Sequence, residues 1–277
     1  MQVAIYRILT LVTSFSSPHL EHLLPDFTQN IEVVVYNKGA SLKDPKVLAR
    51  IGHLERLSNQ GKEADTYLHH LASFRVRDEK GWTIFCQGDP FPHSPDFLGL
   101  LRNRAAWAEV QALTSGYVEE QDVPPANLAL LQSDERIGGM KVRTECFSVR
   151  TLGVLGWDDE AGAARFKDYC RYFGVPKGWS VAGYFLEQCG LTGLAEQAWR
   201  AELGRFAYGA IFAVRNPRLT QIPAGCVAGM RELTWSHDSI GYVFERMWLH
   251  LFGLPFTTGT NVQVAAEPEG FCEMAGA

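Results

Sequence analysis

Apolar and polar positions along this chain change period several times. Residues 3–12 form a near-continuous apolar run of strand length, followed by Ser14, Ser16, Ser17 and Pro18, a turn and helix-start cluster. Residues 18–24 then read as a short helix ended by Pro25, and residues 31–36 as a second strand with three consecutive Val. Unbroken β-branched runs suit strands buried on both faces, hence a parallel sheet. Residues 45–57 place Val47, Leu48, Ile51, Leu54 and Leu57 on one helical face. Residues 62–74 repeat that period with Tyr67, Leu68, Leu71 and Phe74 inward, and residues 82–86 form a third strand. The order strand, helix, strand, helix, strand implies βαβ crossovers.

Further along, residues 98–113 look helical and residues 117–125 read as an acidic loop. Residues 145–150 suit a strand, and residues 161–173 a helix ended by Gly174 and Pro176. Residues 206–215 read as one strong late strand. Residues 238–252 form an apolar helix with Ser236 or Asp238 as its cap. The expected architecture is α/β, a mainly parallel twisted sheet flanked by helices. It is one domain over residues 1–256, with residues 257–277 as a mobile tail.

Composition adds limits. The chain has 277 residues, 46% apolar and 21% charged, enough for an ordinary buried core. A net charge of −5 argues against binding nucleic acid through the whole surface, although Lys and Arg gather modestly at residues 50–62, 75–80 and 102–104. The six Cys form no CxxC pair and match no zinc spacing, so reduced thiols of a cytoplasmic protein are expected. The apolar start is interrupted by Arg7 and lacks a charged start and a cleavage site. No uncharged apolar run is long enough to span a bilayer, so no membrane partner is expected.

The candidate chemistry lies where strands give way to polar residues. In open α/β sheets, ligands bind beyond the carboxyl ends of the strands. Tyr36, Asn37, Lys38 and Gly39 leave the second strand; they suit a ligand's polar edge, or a plain tight turn. Asn59-Gln60-Gly61-Lys62-Glu63 opens a helix. Lys62 with free helix amides suits an anion, while Asn59 as a cap and Glu63 on the helix dipole are the structural alternative. Gln87-Gly88-Asp89-Pro90-Phe91-Pro92-His93 sets a carboxylate and an imidazole four residues apart in a proline-stiffened loop. They can share a proton relay or hold a cation, or Asp89 can simply bond backbone amides. Glu245 and Arg246 are adjacent on an apolar helix with Trp248. They diverge by roughly 100°, so one approaches the apolar side, where a charge needs a partner. There is no HExxH, GxSxG, Walker loop or GxGxxG.

These four motifs, in this order, resemble a family of fungal and bacterial proteins long described only as a domain of unknown function. The resemblance is strongest over residues 31–101 and looser over residues 206–253. Tyr36-Asn37-Lys38-Gly39, Gly61-Lys62-Glu63 with Tyr67-Leu68, and Phe85-Cys86-Gln87-Gly88-Asp89-Pro90 carry it. The family is similar in layout to GT-A (Rossmann-like) glycosyltransferases, and some fungal members are arginine-containing cyclodipeptide synthases that consume aminoacyl-tRNA. GT-A enzymes carry an Asp-x-Asp metal motif where this chain has Gln87-Gly88-Asp89. The resemblance therefore implies a scaffold without a metal–nucleotide donor, and neither metal nor cofactor is expected. The implied activity joins amino acids from arginyl-tRNA into a diketopiperazine. Asp89 and Glu245 would hold the cation, and His93 would move the proton. Tyr36, Asn37, Lys38, Gly39, Lys62, Glu63, Gln87, Gly88, Arg246 and Trp248 would line the substrate. A nucleotide-sugar glycosyltransferase and a small-ligand-binding protein stand as alternatives.

Overall fold

A computed structural model describes residues 9–13, 32–73, 81–115, 136–155 and 159–258. The expected helix at 18–24, the acidic loop at 117–125, the basic cluster at 75–80 and the tail beyond residue 258 lie outside the described residues. The three valines at 33–35 do form a buried strand, β2 (Val33–Asn37). It lies between β1 (Leu9–Thr13) and β3 (His53–Arg56), parallel to both. On the other side of β1, β4 (Trp82–Gln87) is also parallel, with Leu11 opposite Cys86. Beyond it the direction reverses. The late strand β10 (Phe212–Arg215) runs antiparallel to β4 and to the edge strand β5 (Val110–Ala112), which gives the order β3-β2-β1-β4-β10-β5.

Two further sheets are small and antiparallel: β6 (Arg136–Ile137) with β7 (Met140–Lys141), and β8 (Glu145–Ser148) with β9 (Leu203–Phe206). The protein is thus a mixed α/β fold with small antiparallel sheets, and the mainly parallel, GT-A-like sheet expected from the sequence is not what forms. An apolar run reports burial on both faces but carries no direction. The run at 206–215 also hides a break, because it divides into the end of β9, a 3₁₀ turn at Tyr208–Ala210 and β10.

Helices depart from expectation where the apolar period is ambiguous. The helix expected at 45–57 stops after α1 (Pro45–Leu48), whose start is capped by Asp44 accepting from the Lys46 N–H at 2.7 Å. Residues 53–56 instead alternate as edge strand β3, with Leu54 45% exposed. Residues 98–113 resolve into α3 (Phe97–Arg102), a 3₁₀ turn at Arg104–Ala106 and β5. Between them in the chain, α2 (Lys62–Ser73) forms where its period places it. Helix α4 (Glu160–Phe173) is capped by Asp159 through the Gly162 N–H at 2.9 Å and ends on left-handed Gly174. Then follow α5 (Val181–Gln188), α6 (Thr192–Arg200), α7 (Asn216–Leu219) and α8 (Ala224–Leu233), none of which the sequence pattern separated.

The last helix, α9 (Ile240–Leu251), passes through the core and packs on β9, α2 and α4. Phe244 and Trp248 stack at 5.0 Å between ring centres, and Trp248 stacks on Phe212 of β10 at 6.1 Å. Phe212 in turn stacks on Phe85 of β4 at 5.0 Å. Each such buried side chain stabilises the fold by about 1.5–3 kcal/mol. This column fixes α9 against the centre of the sheet and so sets where its polar face opens. Among the described residues no helix is long and apolar enough to cross a membrane, and the five described cysteines are free thiols.

Candidate functional site

The polar face of α9 opens into a cleft of about 330 Å³, lined by Lys62, Glu63, Gln87, His93, Asp159, Ala161, Tyr208, Gly209, Gly241, Tyr242, Glu245 and Arg246. Ligand pockets span about 300–1,000 Å³, so the space suits a ligand the size of an amino acid. Five separate stretches of chain build it. The 3₁₀ turn Tyr208–Ala210 sits at its centre and is pinned from several sides. The Gly209 N–H donates to Glu245 Oε1 at 2.8 Å, and Gln87 Nε2 donates to the Gly209 carbonyl at 3.0 Å. Tyr67 donates to the Ala210 carbonyl at 3.0 Å, and Thr114 to that of Tyr208 at 2.9 Å. Gly209 has φ +69°, and a Cβ there would lie 2.7 Å from the His93 ring. Glycine is therefore needed both for the backbone and for the approach of the imidazole. His93 then packs edge-on to Tyr208, with ring centres 4.9 Å apart.

Arg246 is buried under the cleft floor. Its Nη2 donates to Asp159 Oδ2 at 2.7 Å, its Nη1 lies 3.5 Å from Glu245 Oε2, and its guanidinium covers the Phe206 ring at 3.7 Å. Burial lowers its pKa, while Glu245 and Asp159 oppose that shift; a guanidinium nonetheless stays charged. Glu245 is thus held by one backbone N–H and one cation. The second carboxyl, Glu63, is different. Burial raises its pKa, and the charge of Glu245 raises it further. Glu63 is thereby disposed to keep its proton. Burial lowers the pKa of His93 against the pull of Glu245 and Asp89, which favours a neutral imidazole able to accept a proton. Tyr208 is raised by burial and by Glu245, so it remains a hydrogen-bond donor.

The opening turn of α2 is held by a buried ammonium. Lys38 Nζ donates to the carbonyls of Gln60 at 2.5 Å and Lys62 at 2.6 Å, and to Asp65 Oδ2 at 2.8 Å. Asp65 also accepts from Arg231 at 2.9 Å and Trp235 at 3.0 Å. Burial raises the Asp65 pKa, but these hydrogen bonds more than offset that and hold it low. The clamp keeps Gly61 and Lys62 at φ +60° and +50°, a conformation that is costly for lysine. The Lys62 side chain is thereby set over the Tyr242 ring, 4.9 Å from its centre, at the cleft.

Of the residues singled out in the sequence, the structure brings Lys62, Glu63, Gln87, His93, Glu245 and Arg246 together. The others stand elsewhere. Tyr36 is buried, with its hydroxyl 3.1 Å from His70 Nδ1. Asn37 and Gly39 close a turn on themselves, through Gly39 N–H to Asn37 Oδ1 at 2.8 Å and Asn37 Nδ2 to the Ala40 carbonyl at 2.7 Å. Lys38 is the buried clamp just described, not a cleft lysine. Gly88 is buried beside the cleft without lining it. Asp89 is half-buried outside the lining and accepts from the Phe91 N–H at 3.3 Å, which shapes the loop behind His93. Trp248 is 1% exposed in the aromatic column.

Sequence reasoning missed Asp159, Tyr208, Gly209, Gly241 and Tyr242. A glycine inside an apolar strand run signals a break or a close approach, which would have found Gly209. The i, i+3 and i, i+4 spacing places Gly241 and Tyr242 on the Glu245 face. Comparison with protein-family models, with curated proteins and with solved structures finds no match to this chain.

Proposed function

We propose that the protein is an aminoacyl transferase whose cleft takes a cationic amino acid, and that it forms an arginine-containing cyclodipeptide from aminoacyl-tRNA. The observation that carries this is the meeting of Glu63, Glu245, His93 and Tyr208 in one cleft of amino-acid size. The positioned carboxylate of Glu245 suits a guanidinium, which makes paired hydrogen bonds that an ammonium does not reproduce. A neutral imidazole suits removal of a proton from an attacking amine. The choice of tRNA as carrier is supported by the motif resemblance alone.

In this reaction the amine nitrogen of one amino acid attacks the ester carbonyl of the other. A C–N bond forms, and the bond from that carbonyl carbon to the ribose oxygen breaks. His93 takes the proton from the amine and returns one to the leaving oxygen. Tyr208 and protonated Glu63 donate to the carbonyl oxygen as negative charge develops on it. A second, intramolecular attack of the same kind closes the ring.

The test is mass spectrometry of the products formed from purified arginyl-tRNA, with lysyl-tRNA as competitor. Arginine-containing diketopiperazine is expected, and Glu245→Gln should weaken arginine use by about 2 kcal/mol, the scale of a charged hydrogen bond. Equal use of arginine and lysine would remove the guanidinium site from the account. Failure to consume either charged tRNA would overturn the function.

A further inference from the structure

The rim of the cleft continues into an arc of rings and cations. Tyr242 lines the cleft and is flanked by two of them: Lys62 Nζ is 4.9 Å and the Arg165 guanidinium 5.9 Å from its ring centre. Two turns further along the same face of α4 as Arg165 stands Tyr172, 57% exposed, with His237 tilted against it at 4.5 Å. Trp235, 49% exposed, closes the arc beside the opening turn of α2, where it donates to Asp65 at 3.0 Å. The charge is local and basic. Residues 165–172 carry Arg165, Lys167 and Arg171 against Asp168 alone, in a chain whose net charge is −5. Asp168 lies 4.0 Å from Arg165 and 3.5 Å from Arg171, in exposed pairs that hold the cations only weakly.

Exposed rings with interleaved cations are the surface that unpaired nucleotides use. Bases stack on the rings whatever their sequence, and phosphates meet the cations. A base-paired end offers only the outer face of its terminal pair, whereas each unpaired base can stack on a ring of its own. We infer that this arc binds the unpaired 3′ end of an RNA and delivers its terminal ribose to the cleft. Continuity supports the direction, because Lys62 and Tyr242 belong to both the arc and the cleft. The inference rests on the aminoacyl-tRNA reading above and deepens it by placing the carrier's end.

The experiment measures fluorescence anisotropy of two labelled RNA hairpins, one blunt and one with a four-nucleotide 3′ overhang, on the full-length protein. The overhang is expected to bind, with affinity falling as salt rises, and the blunt hairpin to compete poorly. Tyr172→Ala should weaken binding by about tenfold or more, the scale of one lost stack, while Tyr172→Phe keeps it. Arg165→Ala should lower the salt slope by about 0.7, as for one phosphate contact on a single strand. Equal binding of both hairpins, or unchanged binding by Tyr172→Ala, overturns the arc. Consumption of arginyl-tRNA by the same variants separates the two claims. If the unmodified protein consumes arginyl-tRNA and Tyr172→Ala does so equally well, the arc fails and the function stands. If the overhang binds through Tyr172 but arginyl-tRNA is never consumed, the function fails and the arc stands.

Discussion

Replacing Arg246 by Met tests how the cleft is held. The guanidinium side chain is 1% exposed, and those of Asp159 and Glu245 are 16% and 15% exposed. Met keeps apolar contact with Phe206 but removes the one cation that both carboxylates share. Breaking a buried pair from one side costs about 3–5 kcal/mol, because the partner charge is left uncompensated. Both carboxylates keep some access to water, so the lower end, about 3 kcal/mol at neutral pH, is expected. Urea unfolding of both proteins at neutral pH measures it. Adding Asp159→Asn to the variant should recover part of the loss, since these contacting residues are coupled. A loss below about 1 kcal/mol at neutral pH, or no recovery on adding Asp159→Asn, would refute the ion-pair account.

Three further outcomes follow from the same geometry. Burial pushes His70 down to about 3 and His250 down to about 4, so both are neutral in the folded protein. Their stabilising contribution is whole above the unfolded value of 6.5 and is lost as pH falls toward about 3 for His70 and about 4 for His250, by at most roughly 5 and 3 kcal/mol respectively. His250→Gln should flatten this acid limb in a urea-midpoint titration, because the amide can still accept from Arg205 N–H and donate to the Leu254 carbonyl. Gly209→Ala should destabilise by about 1–3 kcal/mol from the positive φ alone, and should displace His93, read as a shifted imidazole resonance in NMR. Lys38→Met should cost about 3 kcal/mol, because Asp65 keeps Arg231 and Trp235 but loses its ammonium. A thermal melt of that variant within a degree of the parent would contradict the clamp.

Strong, unambiguous periods were legible before the structure. The triple valine of β2, the 3.6-residue stripe of α2 and the long apolar α9 were all visible in the pattern, and so were the polar residues Lys62 and Glu63 at the start of α2 and Glu245 and Arg246 in the middle of α9. What failed was direction and division. The apolar spacing of residues 45–57 fits a helix as well as a short helix followed by an edge strand, and Gly52 is the only break between them. The run at 206–215 concealed the turn that centres the cleft. Lys38 and Asp89 illustrate a different limit. Both stand at strand exits, as site residues do, but one is needed to hold two carbonyls and the other to turn a loop. Sequence places a polar group at a sheet edge; only packing decides whether it faces a ligand or the backbone behind it.

The place of β10 in the sheet has a consequence for biosynthesis. It sits between β4 and β5, yet it leaves the ribosome about 125 residues after β4 ends. At about 5–20 residues per second, β4 waits roughly 6–25 s for its partner. Throughout that interval a strand carrying Ile84 and Phe85 presents an unpaired edge, the kind of surface that recruits other chains. Nascent chains stalled before residue 212 should therefore depend on chaperones far more than chains released after residue 215.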